Sequence, residues 1–240
     1  MEMLYYLNLM FRIMIKITNK NIKSADGHLL PYVQYEPDKN LITKSIILVY
    51  EIFGHTSHIN NVALEYAKNG FLVAIPDIFY RLENNVNLPY DKNGLTKGLN
   101  LKEKLGWDLP VMDIVALAAS LKIDNNLAVL GYCYGGSLAW LTIQKSFIFD
   151  KGVCYYGSSI PDFLQSNLNC QAMLHFGKKD KGIPSSAIKK VKEFINHDKN
   201  KTELYEYENA DHGFNCSDRK SYNKIAAENA FEKTLNFLKN

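Results

Sequence analysis

The segment Leu127-Ala128-Val129-Leu130-Gly131-Tyr132-Cys133-Tyr134-Gly135-Gly136 constrains this chain more than any other. Its apolar opening is the mark of a strand buried on both faces. Gly-x-Cys-x-Gly-Gly then turns the chain sharply, and the apolar content of residues 135–144 predicts a helix. A strand, a glycine-flanked nucleophilic residue and a helix make a nucleophile elbow, with cysteine where serine is usual. Such a turn is tight, so its central residue takes a strained backbone conformation. The residues two positions away must lack side chains, and Gly131 and Gly135 do. The N-terminus of the helix directs partial positive charge at the sulfur, which favours thiolate. A packed core cysteine is the plainer alternative; strand, glycines and helix together favour the nucleophile.

A thiol nucleophile needs a base, and the base needs an orienting acid. On a sheet carrying such an elbow these follow in the order nucleophile, acid, histidine. Asp180 lies in a glycine-containing loop past the apolar run Ala172 to Phe176. His212 lies in Asp211-His212-Gly213-Phe214, past the run Glu203 to Tyr207. Asp211 is too close in sequence to His212 to face its ring easily, and Asp162 falls one strand early. His175 reads as a packed strand residue, His28 and His197 as surface residues. His55 and His58 follow a strand end, where they could line a pocket.

The rest of the chain supports the same architecture. Residues 15–18 and 29–35 read as a hairpin around Asp26-Gly27. Buried strands are expected at 45–50, 71–75, 127–130, 153–156 and 172–176, with a further strand at 203–207. Helices are expected at 59–69, 113–121, 135–144, 187–195 and 225–238. Residues 80–106 show no clear period and read as a functional excursion. Strands alternating with helices predict an α/β fold, a mostly parallel sheet with helices on both faces.

With 240 residues, one domain accommodates the chain. The expected division is an N-terminal extension at 1–13, with Met14 as a possible true start, and one domain over 14–240. The apolar run 3–11 lacks a positive leader and a cleavage site, and is too short to span a membrane. A net charge of +3 from scattered lysines argues against nucleic-acid binding. The cysteines at 133, 154, 170 and 216 form neither a Cys-x-x-Cys pair nor a disulfide framework. Free thiols, no metal, a cytoplasmic location and a monomer or weak oligomer are expected.

With these motifs, the chain from about residue 15 onward resembles the dienelactone hydrolase family (carboxymethylenebutenolidases) of the α/β-hydrolase fold. The resemblance is carried by Ala25-Asp26-Gly27, Glu51-Ile52-Phe53-Gly54, Pro76-Asp77-Ile78-Phe79-Tyr80-Arg81, the Gly131–Gly136 turn and His212-Gly213-Phe214. It implies a small-ester or lactone hydrolase that needs no cofactor, with Cys133, Asp180 and His212 as a triad. Glu51 would sit beside the resting thiol and help deprotonate it. The N–H groups of Ile52 and Tyr134 would form an oxyanion hole. Arg81 would bind a substrate carboxylate and form a switch with Glu51, and Phe53 and Tyr80 would line the substrate site. Glu51 also stands out on its own, because an acid ending a buried strand is costly without a partner or purpose. The chain's arginines are Arg12, Arg81 and Arg219, so a retained Arg81 fits a need for the planar carboxylate-gripping fork.

One position departs from the family. Well-known members carry a second substrate-binding arginine four residues after the histidine, where this chain has Cys216. Arg219 is nearby but displaced. A general small carboxylesterase or thioesterase is therefore an alternative reading, and a non-catalytic ligand-binding or thiol-sensing protein is a third.

Overall fold

In the computed structural model, the structure describes residues 14–240 except 43, 122–125, 165, 198 and 200. The expected extension at 1–13 lies outside the described residues. The strands are β1 (Lys16–Lys23), β2 (Leu29–Glu36), β3 (Lys44–Val49), β4 (Phe71–Pro76), β5 (Leu127–Tyr132), β6 (Lys151–Tyr155), β7 (Gln171–Gly177) and β8 (Glu203–Tyr207). The helices are α1 (Ser57–Lys68), α2 (Lys92–Leu105), α3 (Asp108–Leu121), α4 (Tyr134–Lys145), α5 (Ser185–Ile195) and α6 (Lys224–Lys239).

The strands form one 8-stranded sheet in the order β1-β2-β4-β3-β5-β6-β7-β8. Strands β4, β3, β5, β6, β7 and β8 run parallel, while the β1–β2 hairpin adds antiparallel to β4. Strands β3, β4 and β5 are apolar throughout or nearly so and almost wholly buried, as strands covered on both faces must be.

The strand order places the functional groups. From β3 the chain moves outward to β4, then returns to the other side of β3 to make β5. Open α/β sheets bind ligands beyond the carboxyl ends of the strands at such a reversal. Val49 and Gly131 are register partners across β3 and β5. Glu51 and Cys133, each two residues further on, therefore leave neighbouring strand ends together.

Helix α2 is the element that periodicity missed. Residues 80–106 were expected to be an irregular excursion, but 92–105 are helical, capped by Asp91, whose carboxylate accepts from Gly94 N at 2.8 Å. Gly94 and Gly98 weaken the sequence signal because glycine disfavours helix by about 1 kcal/mol relative to alanine. Tertiary packing overrides that cost: a Cβ on Gly98 would lie 2.5 Å from the Ile52 carbonyl oxygen. The glycine lets α2 rest against the backbone of the loop after β3. Helix α3 starts at Asp108, earlier than the expected 113, because Pro110 lies in the first turn, where its missing N–H costs nothing.

Candidate active site

Cys133 sits between β5 and α4 with φ 54° and ψ −113°, a left-handed backbone that a non-glycine residue holds only under constraint. Its backbone N–H donates to the Tyr155 carbonyl at 3.0 Å, tying the turn to the end of β6. A Cβ on Gly131 would meet the Gly135 carbonyl oxygen at 2.0 Å, and one on Gly135 would meet the Val49 oxygen at 2.2 Å. Both glycines are thus dictated by the close approach of backbone to backbone, as their spacing predicts.

His212 enters from the loop after β8. Its Nε2 lies 3.1 Å from Cys133 Sγ, and its Nδ1 lies 2.7 Å from Asp180 Oδ2. The carboxylate can only accept, so Nδ1–H donates to it, leaving Nε2 facing the sulfur. Asp180, buried in the loop after β7, accepts from the Gly182 N–H at 2.8 Å through its other oxygen. Both its oxygens are therefore engaged and its rotamer is fixed. Asp211 instead accepts from the backbone N–H of His212 at 2.7 Å. The His212 ring is partly buried, which disfavours its charge. The Cys133 sulfur and the Asp180 hydrogen bond outweigh burial and hold its pKa well above the ordinary imidazole range.

Glu51 is fully buried beyond β3. Its Oε1 accepts from Arg219 Nη1 at 3.3 Å, and its Oε2 has no hydrogen-bond partner. The Arg219 guanidinium lies over the Phe53 ring at 5.5 Å and the Tyr90 ring at 5.9 Å. Phe53 and Tyr90 pack together with centroids 4.6 Å apart. Burial works against the Arg219 charge, but Glu51 and then Cys133 outweigh it and raise its pKa. Ile52 directly follows Glu51, and Tyr134 opens α4. Among the described residues, neither backbone N–H donates to a protein acceptor.

The expected pairing of Arg81 with Glu51 does not occur. Arg81 Nε and Nη2 donate to Asp113 at 2.9 and 2.8 Å, while Nη1 and Nη2 donate to Asp26 at 2.7 and 3.1 Å. Ser24 Oγ also donates to Asp113, and Tyr80 Oη does so at 3.4 Å. Tyr80 thus turns to this cluster, with Arg81 over its ring at 5.1 Å. The planar fork is used as expected, but on two carboxylates of the protein. Asp113 on α3 is fully buried, and a charge there requires a guanidinium. Arg219 supplies the partner to Glu51 that sequence reasoning assigned to Arg81.

The structure also brings in residues that the sequence did not single out. Tyr90 contacts Phe53 and hydrogen-bonds Thr56 Oγ1 at 2.8 Å. Tyr156 lies edge-on to His212 with centroids 5.2 Å apart. Tyrosine-rich strand ends give no distinguishing signal in a chain with 15 tyrosines. His58 is buried, with burial lowering its pKa, while His55 Nε2 contacts Asn60 Oδ1 at 2.7 Å. His175 is a core residue, bonded to Tyr207 Oη and Thr234 Oγ1 at 2.9 Å each, and burial lowers its pKa to about 3. Among the described residues no cluster of His, Cys, Asp and Glu suited to a metal occurs, and no helix is long and apolar enough to cross a membrane.

A model of the dienelactone hydrolase family matches residues 30–240. A protein of Synechocystis sp., provisionally named a carboxymethylenebutenolidase, is 27% identical over 235 residues, spanning 92% of this chain and 93% of its own length. The carboxymethylenebutenolidase of Pseudomonas putida is 25% identical over 225 residues, spanning 91% and 94%. The crystal structure of a Klebsiella pneumoniae protein, provisionally named a dienelactone hydrolase, superposes with a TM-score of 0.82. It is 22% identical and covers 94% of this chain and 99% of its own. That structural likeness establishes the fold, and the family model establishes the kinship. The chain belongs to the dienelactone hydrolase family and is a dienelactone hydrolase-like hydrolase on an α/β-hydrolase fold.

Proposed function

We propose that this enzyme hydrolyses small esters or lactones through a thioester on Cys133. The observation that carries the proposal is the relay from Asp180 Oδ2 through His212 to Cys133 Sγ, with contacts of 2.7 and 3.1 Å. His212 Nε2 beside the sulfur is placed to take the thiol proton and leave a thiolate, the nucleophilic form of cysteine. The thiolate attacks the acyl carbonyl, forming the C–S bond. The N–H groups of Ile52 and Tyr134 receive the developing oxyanion, and each such donor is worth about 10²–10³ in turnover. His212 gives its proton to the departing alkoxide. The neutral ring then takes a proton from water, whose hydroxide attacks the thioester and releases the carboxylic acid.

Hydrolysis of a panel of aryl esters, thioesters and dienelactone tests this reading. Measurable turnover that is lost on alkylation of Cys133 is the expected result. No hydrolysis of any member, with Cys133 still rapidly alkylated, would favour a thiol sensor instead.

Arg219 decides substrate preference in this account. It reaches Glu51 through one long contact, and Arg81 is committed elsewhere. Among the described residues, a substrate carboxylate has one guanidinium available to it, that of Arg219, rather than two. Arg219→Ala should reduce the preference for a carboxylate-bearing ester over its neutral analogue by about 10- to 100-fold, the scale of one charged hydrogen bond. Comparing kcat/KM for the two esters checks this, and an unchanged ratio would remove Arg219 from recognition.

The electrostatics make a separate prediction. The Cys133 sulfur is the largest influence raising the His212 pKa, and burial opposes it. In Cys133→Ala the ring should therefore lose its proton at lower pH than in the native enzyme. Imidazole NMR titration reads this directly; an unchanged titration would mean that the sulfur carries no charge.

A further inference from the structure

We propose that a row of rings through the sheet, Tyr132, Tyr155, His175 and Tyr205, carries one-electron oxidation away from Cys133 and delivers it to the surface. The function is protective and lies beyond hydrolysis, although it rests on the reading of Cys133 as a reactive thiolate.

The thiolate is the reactive form of cysteine, and its oxidation past the sulfenic acid destroys the nucleophile. Tyr132 directly precedes Cys133, and its ring stacks on Tyr155 with centroids 4.5 Å apart. Tyr155 lies 4.4 Å from His175, and His175 stacks on Tyr205 at 5.8 Å. Electron exchange falls steeply with separation, so rings in contact form a path that isolated rings do not. Tyr132, Tyr155 and His175 are buried, whereas Tyr205 on β8 is partly exposed. Tyr205 opens onto a surface cavity of about 500 Å³, where a small reductant can meet it.

An oxidised phenol must shed its proton, and the hydrogen bonds along the row provide for that. Tyr155 Oη contacts Thr234 Oγ1 at 2.7 Å, and Thr234 Oγ1 contacts His175 Nε2 at 2.9 Å. His175 Nδ1 contacts Tyr207 Oη at 2.9 Å. Burial keeps the imidazole neutral, so one of its nitrogens can accept a proton. At the far end Tyr205 Oη donates to Glu203 Oε2 at 2.6 Å. Tyr156 makes the contrast. Its strained backbone, with φ 37°, sets its ring 5.2 Å from His212 and 6.0 Å from Tyr132. Its hydroxyl is buried without a partner, so it has nowhere to send a proton and is a dead end. Phenylalanine at 155 would fill the same space without burying a hydroxyl. The hydroxyl chain has no part in hydrolysis, and it is what a relay requires.

A one-electron oxidant, such as carbonate radical, takes an electron from the Cys133 thiolate and leaves a thiyl radical. Tyr155 returns an electron to the sulfur across the Tyr132 ring, while its proton passes through Thr234 to His175. Tyr205 then returns an electron to Tyr155 across the imidazole. The proton on His175 goes back to Tyr155, and the proton of Tyr205 goes to Glu203. The sum restores the thiolate, Tyr155 and His175, and leaves a neutral Tyr205 radical beside a protonated Glu203.

The test starts the oxidation at the sulfur. Cys133 in the full-length enzyme is capped with a nitroso group, checked by peptide mass, and photolysed to nitric oxide and the thiyl radical. A spin trap is present, and peptide mass spectrometry locates the adduct. The adduct is expected on Tyr205, while Tyr80, partly exposed but outside the row, stays unlabelled. Tyr155→Phe and Thr234→Val keep the rings and break the proton path, so each should return the adduct to Cys133, with circular dichroism confirming the fold. An adduct confined to Cys133 in the native enzyme overturns the inference without recourse to any variant. Equal labelling of Tyr80, or a Tyr205 adduct that persists in either folded variant, overturns it too. Failure of the catalytic reading would look different: native ester turnover in Cys133→Ala, with the labelling pattern of the native enzyme untouched.

Discussion

Cys133→Ala will reduce ester turnover by about 10⁴-fold or more while the protein remains folded. The variant removes one buried atom that the account makes the covalent nucleophile. His212 and Asp180 remain bonded to each other, and the donors of Ile52 and Tyr134 remain in place. They can polarise a carbonyl and orient a water, which leaves a small residual rate. Stability should change little, because the sulfur fills little volume and alanine has no greater difficulty with the left-handed turn. Cys133→Ser is a sharper companion. It restores a nucleophilic atom, but an alkoxide is far harder to form than a thiolate, so its rate should lie between the other two. Steady-state kinetics with circular dichroism on both variants checks the ordering.

Arg81→Ala will destabilise the fold by about 3–5 kcal/mol, the cost of leaving a buried charge without its partner. For a chain of this size that corresponds to a fall in Tm on the order of 10 °C. The residue joins the β1–β2 turn through Asp26, the loop after β4 through its own backbone, and α3 through Asp113. Its role is to clamp these three segments, so folded variant molecules should keep near-native KM for anionic esters below the melting transition. Arg81→Ala with a native Tm and a raised KM would return Arg81 to the substrate. Asp113→Asn, which removes the carboxylate charge from the other side, should reproduce much of the thermal loss.

The two arginines show what sequence could and could not settle. The motif Pro76-Asp77-Ile78-Phe79-Tyr80-Arg81 marks a position that needs a bidentate cation, and the structure contains one there. Which carboxylate the fork grips depends on the packing of α3 against the hairpin, over distances that linear spacing does not encode. Asp26 and Asp113 lie 55 and 32 residues from Arg81. Arg219 looked displaced because the family pattern counts residues from the histidine. The loop instead brings its guanidinium back to Glu51.

The elbow was legible for the opposite reason. The signals that mark Cys133 are local in sequence, the strand before it, the helix after it and the glycines either side, although the contacts that demand Gly135 and hold the turn come from Val49 on β3 and Tyr155 on β6. Asp180 and His212 were accessible because each follows a recognisable strand. Helix α2 was hidden because its glycines serve contacts with Ile52 and Pro89 rather than helix propensity. Tyr156 was hidden because its strained φ and unpaired hydroxyl are properties of the folded chain alone.

The covalent role of Cys133 can be observed without kinetics. A slowly hydrolysed aryl ester is mixed with the enzyme, quenched in acid within its first turnovers, and digested for peptide mass spectrometry. The peptide containing Cys133 should gain the mass of the acyl group, hydroxylamine should remove it, and Cys133→Ala should never acquire it. Hydrolysis by the native enzyme with no acyl group on Cys133 at any quench time, together with native turnover in Cys133→Ala, would contradict the account.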